Sequence, residues 1–168
     1  ANLCQTMTSD TTPVPYLTLS GNNDGTNTTY KAVDKNPATC WATTSGTTST
    51  YYLLAFGGDA YIFTGVSIQA VASTTAPNTF TIEGSNDNIT WDILASYSNI
   101  TGWVAGGYKN FSCSCKKAYI LFRLNITSVN GGSTIQISEI KVFGYIKHKK
   151  IHPCMTSNVL PSPYIVSA

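Results

Sequence analysis

The chain of 168 residues is long enough to bury one sizeable core and too short for two ordinary domains. Hydrophobic residues make up 42% and charged residues only 11%, with Thr, Ser, Asn, Gly and Tyr crowding the rest, a mix that suits strands and turns and starves helices. A net charge of +2 is too small for the field that nucleic-acid binding needs, so DNA and RNA are not expected partners. The one basic run, Lys147, His148, Lys149 and Lys150, reads as a solvated segment rather than an anionic-surface contact. No run of about 18 apolar residues offers a transmembrane segment, and no charged-then-apolar leader precedes Asn2, so a soluble chain is expected.

Taken in chain order, strand-like segments fall at 16–20, 51–56, 61–70, 79–84, 93–97, 109–115, 119–127 and 135–143, with turn residues between them. Eight strands in about 140 residues predict an all-β sandwich or jelly roll. Alternation assigns the faces: Val66, Ile68 and Ala70 share one side, as do Phe80 and Ile82, and as do Ile120, Phe122, Leu124 and Ile126. In the last strand Ile135 and Ile137 are in phase, but Ile140 and Val142 are not. A β-bulge near Ser138 or Glu139 is therefore predicted.

Five cysteines and five Asn-x-Ser/Thr acceptor triplets, at Asn27, Asn88, Asn99, Asn110 and Asn125, point to an extracellular, disulfide-bearing glycoprotein. Roughly three such triplets would arise by chance in a chain this rich in Ser and Thr, so their placement matters more than their number. Strand parity turns Asn110 and Asn125 outward, and the other three lie in predicted loops, so all five are open to glycans.

The segment Met7-Thr-Ser-Asp-Thr-Thr-Pro-Val-Pro-Tyr-Leu returns as Met155-Thr-Ser-Asn-Val-Leu-Pro-Ser-Pro-Tyr-Ile, an offset of 148 residues. Matching of both prolines and the tyrosine marks an internal repeat. Residues 1–154 are thus expected to form the domain, and 155–168 the opening strand of a second copy or a strand that links subunits.

Three stretches resemble the discoidin family, also called the coagulation factor 5/8 C-terminal type. They are Tyr30-Lys-Ala-Val-Asp-Lys-Asn-Pro-Ala-Thr-Cys-Trp-Ala-Thr, then Thr81-Ile-Glu-Gly-Ser-Asn-Asp-Asn-Ile-Thr-Trp-Asp-Ile-Leu, then Ala118-Tyr-Ile-Leu-Phe-Arg-Leu-Asn-Ile-Thr with Ile137-Ser-Glu-Ile-Lys-Val-Phe-Gly-Tyr. Together they span roughly residues 7–145 in the family's order. The resemblance implies an eight-stranded antiparallel jelly-roll sandwich, galactose-binding-like, whose loops at one end form the binding surface. Where the family has a glycine this chain has Lys35, and Cys40 precedes the tryptophan, so the turn geometry there departs from the pattern.

Carried over from the resemblance, a structural Ca2+ would be held by Asp34, Asn36, Thr39 and Glu139, whose hard oxygens suit that ion. A capped turn is the competing reading of the same Asp and Asn. The family's packing tryptophans correspond to Trp41 and Trp91. Trp103, in a glycine-flanked loop, is either an exposed platform for a sugar ring or buried against its own loop. Asn22, Asn23 and Asp24 offer groups for sugar hydroxyls, with turn formation as the alternative, while Tyr51, Tyr108 and Lys109 are candidates for the same rim. Arg123, the only arginine, points off the core face by parity.

Many family members tie their ends by a disulfide, which implies Cys4 with Cys154, unless Cys154 belongs to the second repeat. Cys113 and Cys115 lie about 6.6 Å apart on one strand face, a poor geometry for bonding each other, so one is expected to pair with Cys40. A zinc site of Cys113, Cys115, His148 and His152 is disfavoured, because nothing aims the histidines. No nucleophile or acid–base pair stands in a recognisable setting, so no enzyme activity is expected.

The expected function is a non-catalytic adhesion module binding cell-surface or matrix glycans through the loops. The alternatives are a glycosylated subunit of an extracellular filament or coat, self-associating through residues 155–168, and an anionic-lipid binder using Trp103 and Val104.

Overall fold

The computed structural model describes residues 1–146. Among these residues nine strands form two antiparallel sheets, one more strand than expected. They are β1 Tyr16–Ser20, β2 Trp41–Ala42, β3 Thr50–Phe56, β4 Tyr61–Ala70, β5 Pro77–Ser85, β6 Asp92–Tyr97, β7 Tyr108–Ser112, β8 Leu121–Val129 and β9 Gln136–Ile146. The addition is β2, a two-residue strand on β9 that is too short to show alternation. One sheet runs β1-β3-β8-β5-β6 and the other β2-β9-β4-β7.

The inward rows carry the expected apolar residues. Val66, Ile68, Ala70, Phe80, Ile82, Phe122, Leu124 and Ile126 are all buried, whereas Ile120 precedes β8 and is only half-buried. Aromatic edges lock the sheets together: Phe63 meets Phe122 at 5.4 Å, Phe80 meets Phe111 at 4.9 Å, and Trp41 meets Tyr52 at 5.2 Å between ring centroids. Burial of rings this size dominates the energetics of such a core.

The predicted bulge is present. Gln69 pairs with Glu139 and Ala70 with Ile137, which leaves Ser138 as the extra residue. This shift lets Ile135, Ile137, Ile140 and Val142 all reach the core despite their broken phase, and it turns Glu139 toward the outer face.

The segment before β1 is held by Asp10. Its Oδ1 accepts from the Thr18 hydroxyl, the Thr29 hydroxyl and the Tyr30 amide, while Met7 is buried in the core. The corresponding second segment, with Cys154, His148, His152 and the Lys147–Lys150 run, lies outside the described residues.

Candidate functional site

Connections 21–28, 43–49, 71–76, 98–107 and 130–135 gather at one end of the sandwich and hydrogen-bond to one another. The Gly46 amide donates to Ser133 O, Gly132 to Thr74 O, Asp24 to Ala42 O and Gly106 to Ala70 O. Ala1 and Gly144 pair at the opposite end, so the loop end is a braced platform facing away from the N-terminus.

Within it, the first loop spends its polar groups on itself. Asn22 Oδ1 accepts from the Thr44 amide and hydroxyl, and Asn22 O accepts from the Trp41 indole. Asn23 Oδ1 accepts from the Gly25 amide. Asp24 accepts from the Thr26 and Asn27 amides and from Asn27 Nδ2, and these bonds hold its carboxyl below the usual range against a desolvation penalty. Turn formation therefore accounts for all three residues.

Trp103 is not an exposed platform. It is 5% accessible, its indole N–H donates to Pro77 O at 3.0 Å, and its ring packs on Phe111 with the Lys109 ammonium 5.7 Å from its centroid. The large apolar group its loop exposes is Val104. Glycines on both sides let the chain fold the indole inward, which sequence alone left open.

Trp91 is likewise absent from the core. It lies half-buried on the outer face of the larger sheet, where the Arg123 guanidinium stacks 3.9 Å from its ring centroid and nearer than the Tyr51 ring at 5.7 Å. Arg123 Nε donates to the buried Glu83 at 2.6 Å, and Asn125 Nδ2 donates to the same carboxylate. Parity placed Arg123 outward correctly, and its partners make it structural.

On the outer face of the smaller sheet the picture differs. Tyr108, Gln69 and Glu139 are register partners across β7, β4 and β9, and beside them Asn110, Ser67 and Lys141 form a second row. Tyr108, Gln69, Glu139 and Lys141 wall a cavity of about 430 Å3 together with Asn2, Cys4, Lys35 and Pro37. Gln69 Oε1 and Glu139 Oε1 are buried without a hydrogen-bond partner. Burial pushes the Glu139 carboxyl up to about 7, and the adjacent Asp34 carboxylate adds to the rise. Tyr108 is exposed, and the Lys141 ammonium sits 4.0 Å from its ring centroid.

The expected cation ligands converge here. Asp34 accepts from the Asn36 amide and from the Thr39 hydroxyl, which also donates to Asn36 O. Asn36 Oδ1 caps the Ala38 amide, which leaves its main-chain carbonyl, already bonded by the Thr39 amide and hydroxyl, as the oxygen it could offer. Lys35 holds the left-handed φ of 60° that the family's glycine would supply, so the turn survives the substitution. Two carboxylates, one with an orphaned buried oxygen, together with carbonyl and hydroxyl oxygens, fit a Ca2+ ion.

No two cysteines are bonded among the described residues. Cys40 adjoins β2, which is aligned through Ile137 with Ala70, whereas the Cys113 amide bonds Thr64 O. That separation along β4 is roughly 20 Å at about 3.3 Å per residue, so the expected Cys40 pairing is excluded. Cys4 Sγ accepts from the Val142 amide, and its proposed partner Cys154 lies outside the described residues.

Among the acceptor asparagines, Asn88, Asn99 and Asn110 are exposed, Asn27 is half-buried, and Asn125 points off the core but is bonded to Glu83.

Residues 16–140 match the F5/8 type C domain, and the chain belongs to that family. Its fold is similar to that of chitosan-binding module 1 from a chitosanase/glucanase of Paenibacillus sp. IK-5, with a TM-score of 0.66, 18% identity, and coverage of 86% of this chain and 99% of that one. It is also similar to CBM32-3 from a family 31 glycoside hydrolase of Clostridium perfringens, with a TM-score of 0.65, 13% identity, and 76% and 88% coverage. A third similar structure is the family 32 module of C. perfringens NanJ in complex with galactose, with a TM-score of 0.61, 15% identity, and 76% and 92% coverage. Comparison with curated proteins gives no match.

Proposed function

We propose that the chain is a non-catalytic, extracellular glycan-binding module. The observation that carries this reading is the cavity of about 430 Å3 on the outer face of the smaller sheet, walled by polar side chains and by the exposed Tyr108, whose ring supplies a flat apolar face. Sugars match such a wall, with hydroxyls for its polar groups and an apolar C–H face for the ring. Similarly folded modules described as chitosan-binding or galactose-bound support the class.

Asp34, Glu139, Asn36 O and Thr39 would hold Ca2+ beside the cavity. The ion would supply a fixed positive charge that neutralises the paired carboxylates and fastens the 34–39 turn to β9. A glycan array read with calcium and with EDTA tests the function, and binding to no glycan in either condition refutes it.

A second reading, assembly through residues 155–168, draws support from the first copy of the repeat. There Met7 is buried and Asp10 anchors three donors, so this motif belongs inside a domain. Sedimentation of the full chain showing monomers at every concentration would remove it. Anionic-lipid binding loses its main support with the burial of Trp103.

A further inference from the structure

We propose that Asn110 carries an N-linked glycan whose first sugar is seated in a hollow over Gly65, against the ring of Phe143. This site lies apart from the Tyr108 cavity and does not depend on what that cavity binds.

The five asparagines with an acceptor triplet are placed very differently. Asn27 Nδ2 donates to Asp24 and Asn125 Nδ2 donates to Glu83, so in both the nitrogen that a glycan would occupy is already engaged. Asn88 and Asn99 are exposed at left-handed turn positions, with φ of 59° and 55°, and neither lines a hollow on the smaller sheet. Asn110 is exposed and makes no side-chain hydrogen bond among the described residues. It stands on β7, the edge strand of the smaller sheet, where Asn110 and the triplet's Ser112 point the same way, as alternate residues of a strand do.

Asn110, Ser112, Gly65 and Phe143 line one hollow of about 450 Å3 beside the exposed Thr64. Strand register explains the gap. Gly65 lies between Ser112 on β7 and Phe143 on β9, one row along from Asn110, Ser67 and Lys141. A glycine in the middle strand removes the side chain that would fill the row. Glycine is also enforced there, because the bulge at Thr64 leaves Phe111 O 2.5 Å from where a Cβ would stand. Phe143 is half-buried and forms the far wall, two strand spacings or about 10 Å from Ser112. A pyranose on Asn110 Nδ2 therefore meets a floor without a side chain and an aromatic wall for its apolar C–H face. Seated there, it turns away from Tyr108, the residue two before Asn110 on the same face, and leaves the neighbouring cavity open.

Attachment is a group transfer from a polyprenyl-pyrophosphate-linked oligosaccharide, made by an oligosaccharyltransferase that reads the triplet. The bond between the sugar's C1 and the pyrophosphate oxygen breaks, and C1 bonds to Asn110 Nδ2. The amide gives up one proton, and the lipid pyrophosphate leaves.

The test is to secrete the full chain from mammalian cells under a mannosidase inhibitor, which keeps the glycans cleavable, and to map occupancy by glycopeptide mass spectrometry. Asn110 should be occupied. In urea denaturation Asn110→Gln should lower the folded-to-unfolded ratio by about fivefold, the scale of one stacked ring, while Asn99→Gln should not. In a Phe143→Leu background Asn110→Gln should add no further loss, because the contact is already gone. Trimming with an endoglycosidase that leaves only the first sugar should keep the parent's urea midpoint, a reading that needs no variant to fold. An Asn110 left bare while Asn88 or Asn99 is glycosylated, or a chain with no triplet occupied, overturns the site. A loss from Asn110→Gln that is the same with Phe143→Leu as without it, or a midpoint that falls on trimming, overturns the seat.

Discussion

Gln69 and Glu139 face each other in the β4–β9 ladder, and each buries a side-chain oxygen that no donor reaches. Adjacent unsatisfied acceptors are held in place by the surrounding fold at a cost of about 1–3 kcal/mol each. The bulge at Ser138 creates the arrangement by turning Glu139 out of the core row.

Glu139 gives the first prediction. Its folded-state value of about 7 lies above the ordinary 4.5, so the folded chain binds this proton more tightly than the unfolded one. The protonated carboxyl's stabilisation is fully present below the ordinary value and is lost as pH rises through the folded-state value, a swing of roughly 3 kcal/mol at most. Thermal melts of metal-free protein should fall across that window, and Glu139→Gln should flatten the profile. Calcium reverses the preference by favouring the ionised form, so at and above neutral pH it should raise the melting temperature of the parent chain and leave Glu139→Gln unchanged.

Arg123 and Glu83 give the second. Glu83 is 4% accessible and takes Nε and Nη2 of Arg123 together with Asn125 Nδ2. Arg123→Met keeps the stem but leaves a buried carboxylate without its cation, which costs about 3–5 kcal/mol. Urea denaturation should show that loss, and glycan affinity should not move, because the pair lies on the sheet opposite the cavity.

Trp103 gives the third. Deleting an indole that fills the gap above Phe111 leaves a hole, so Trp103→Ala should cost about 3–5 kcal/mol. Trp103→Phe should recover most of that stability. Neither variant should change sugar affinity at a temperature where the protein is folded; a selective loss of binding in Trp103→Phe would restore the indole to the binding surface.

What could be read from the residues follows from periodicity. Strands with a period of two announced their faces, and the phase break between Ile137 and Ile140 located a bulge that the ladder places at Ser138. β2 was illegible because two residues carry no period. Trp91 was misassigned and Trp103 left open for a related reason: loops and strand ends have no parity, and an indole beside glycines turns inward or outward according to partners such as Pro77 O that only the folded chain supplies. The residues proposed to hold a cation were chosen through family motifs. Gln69 was missed, although it alternates with Ile68 and Ala70 and so was readable as an outward polar residue; what made it notable was Gly106 O, 37 residues away.

Lys35 gives the last prediction. Its φ of 60° lies in the left-handed region, where a Cβ crowds the following carbonyl at a cost of roughly 1–2 kcal/mol. Lys35→Gly should stabilise the chain, by about 1 kcal/mol after the greater freedom of glycine in the unfolded state is counted. Lys35→Ala should bring no such gain, because alanine keeps the Cβ. The exposed ammonium is then a group retained against local backbone preference, as a ligand contact would be. Denaturation midpoints that rise for Lys35→Gly while glycan binding weakens would separate the two roles. A variant that gains stability and binds the same glycan as before would leave Lys35 outside the site.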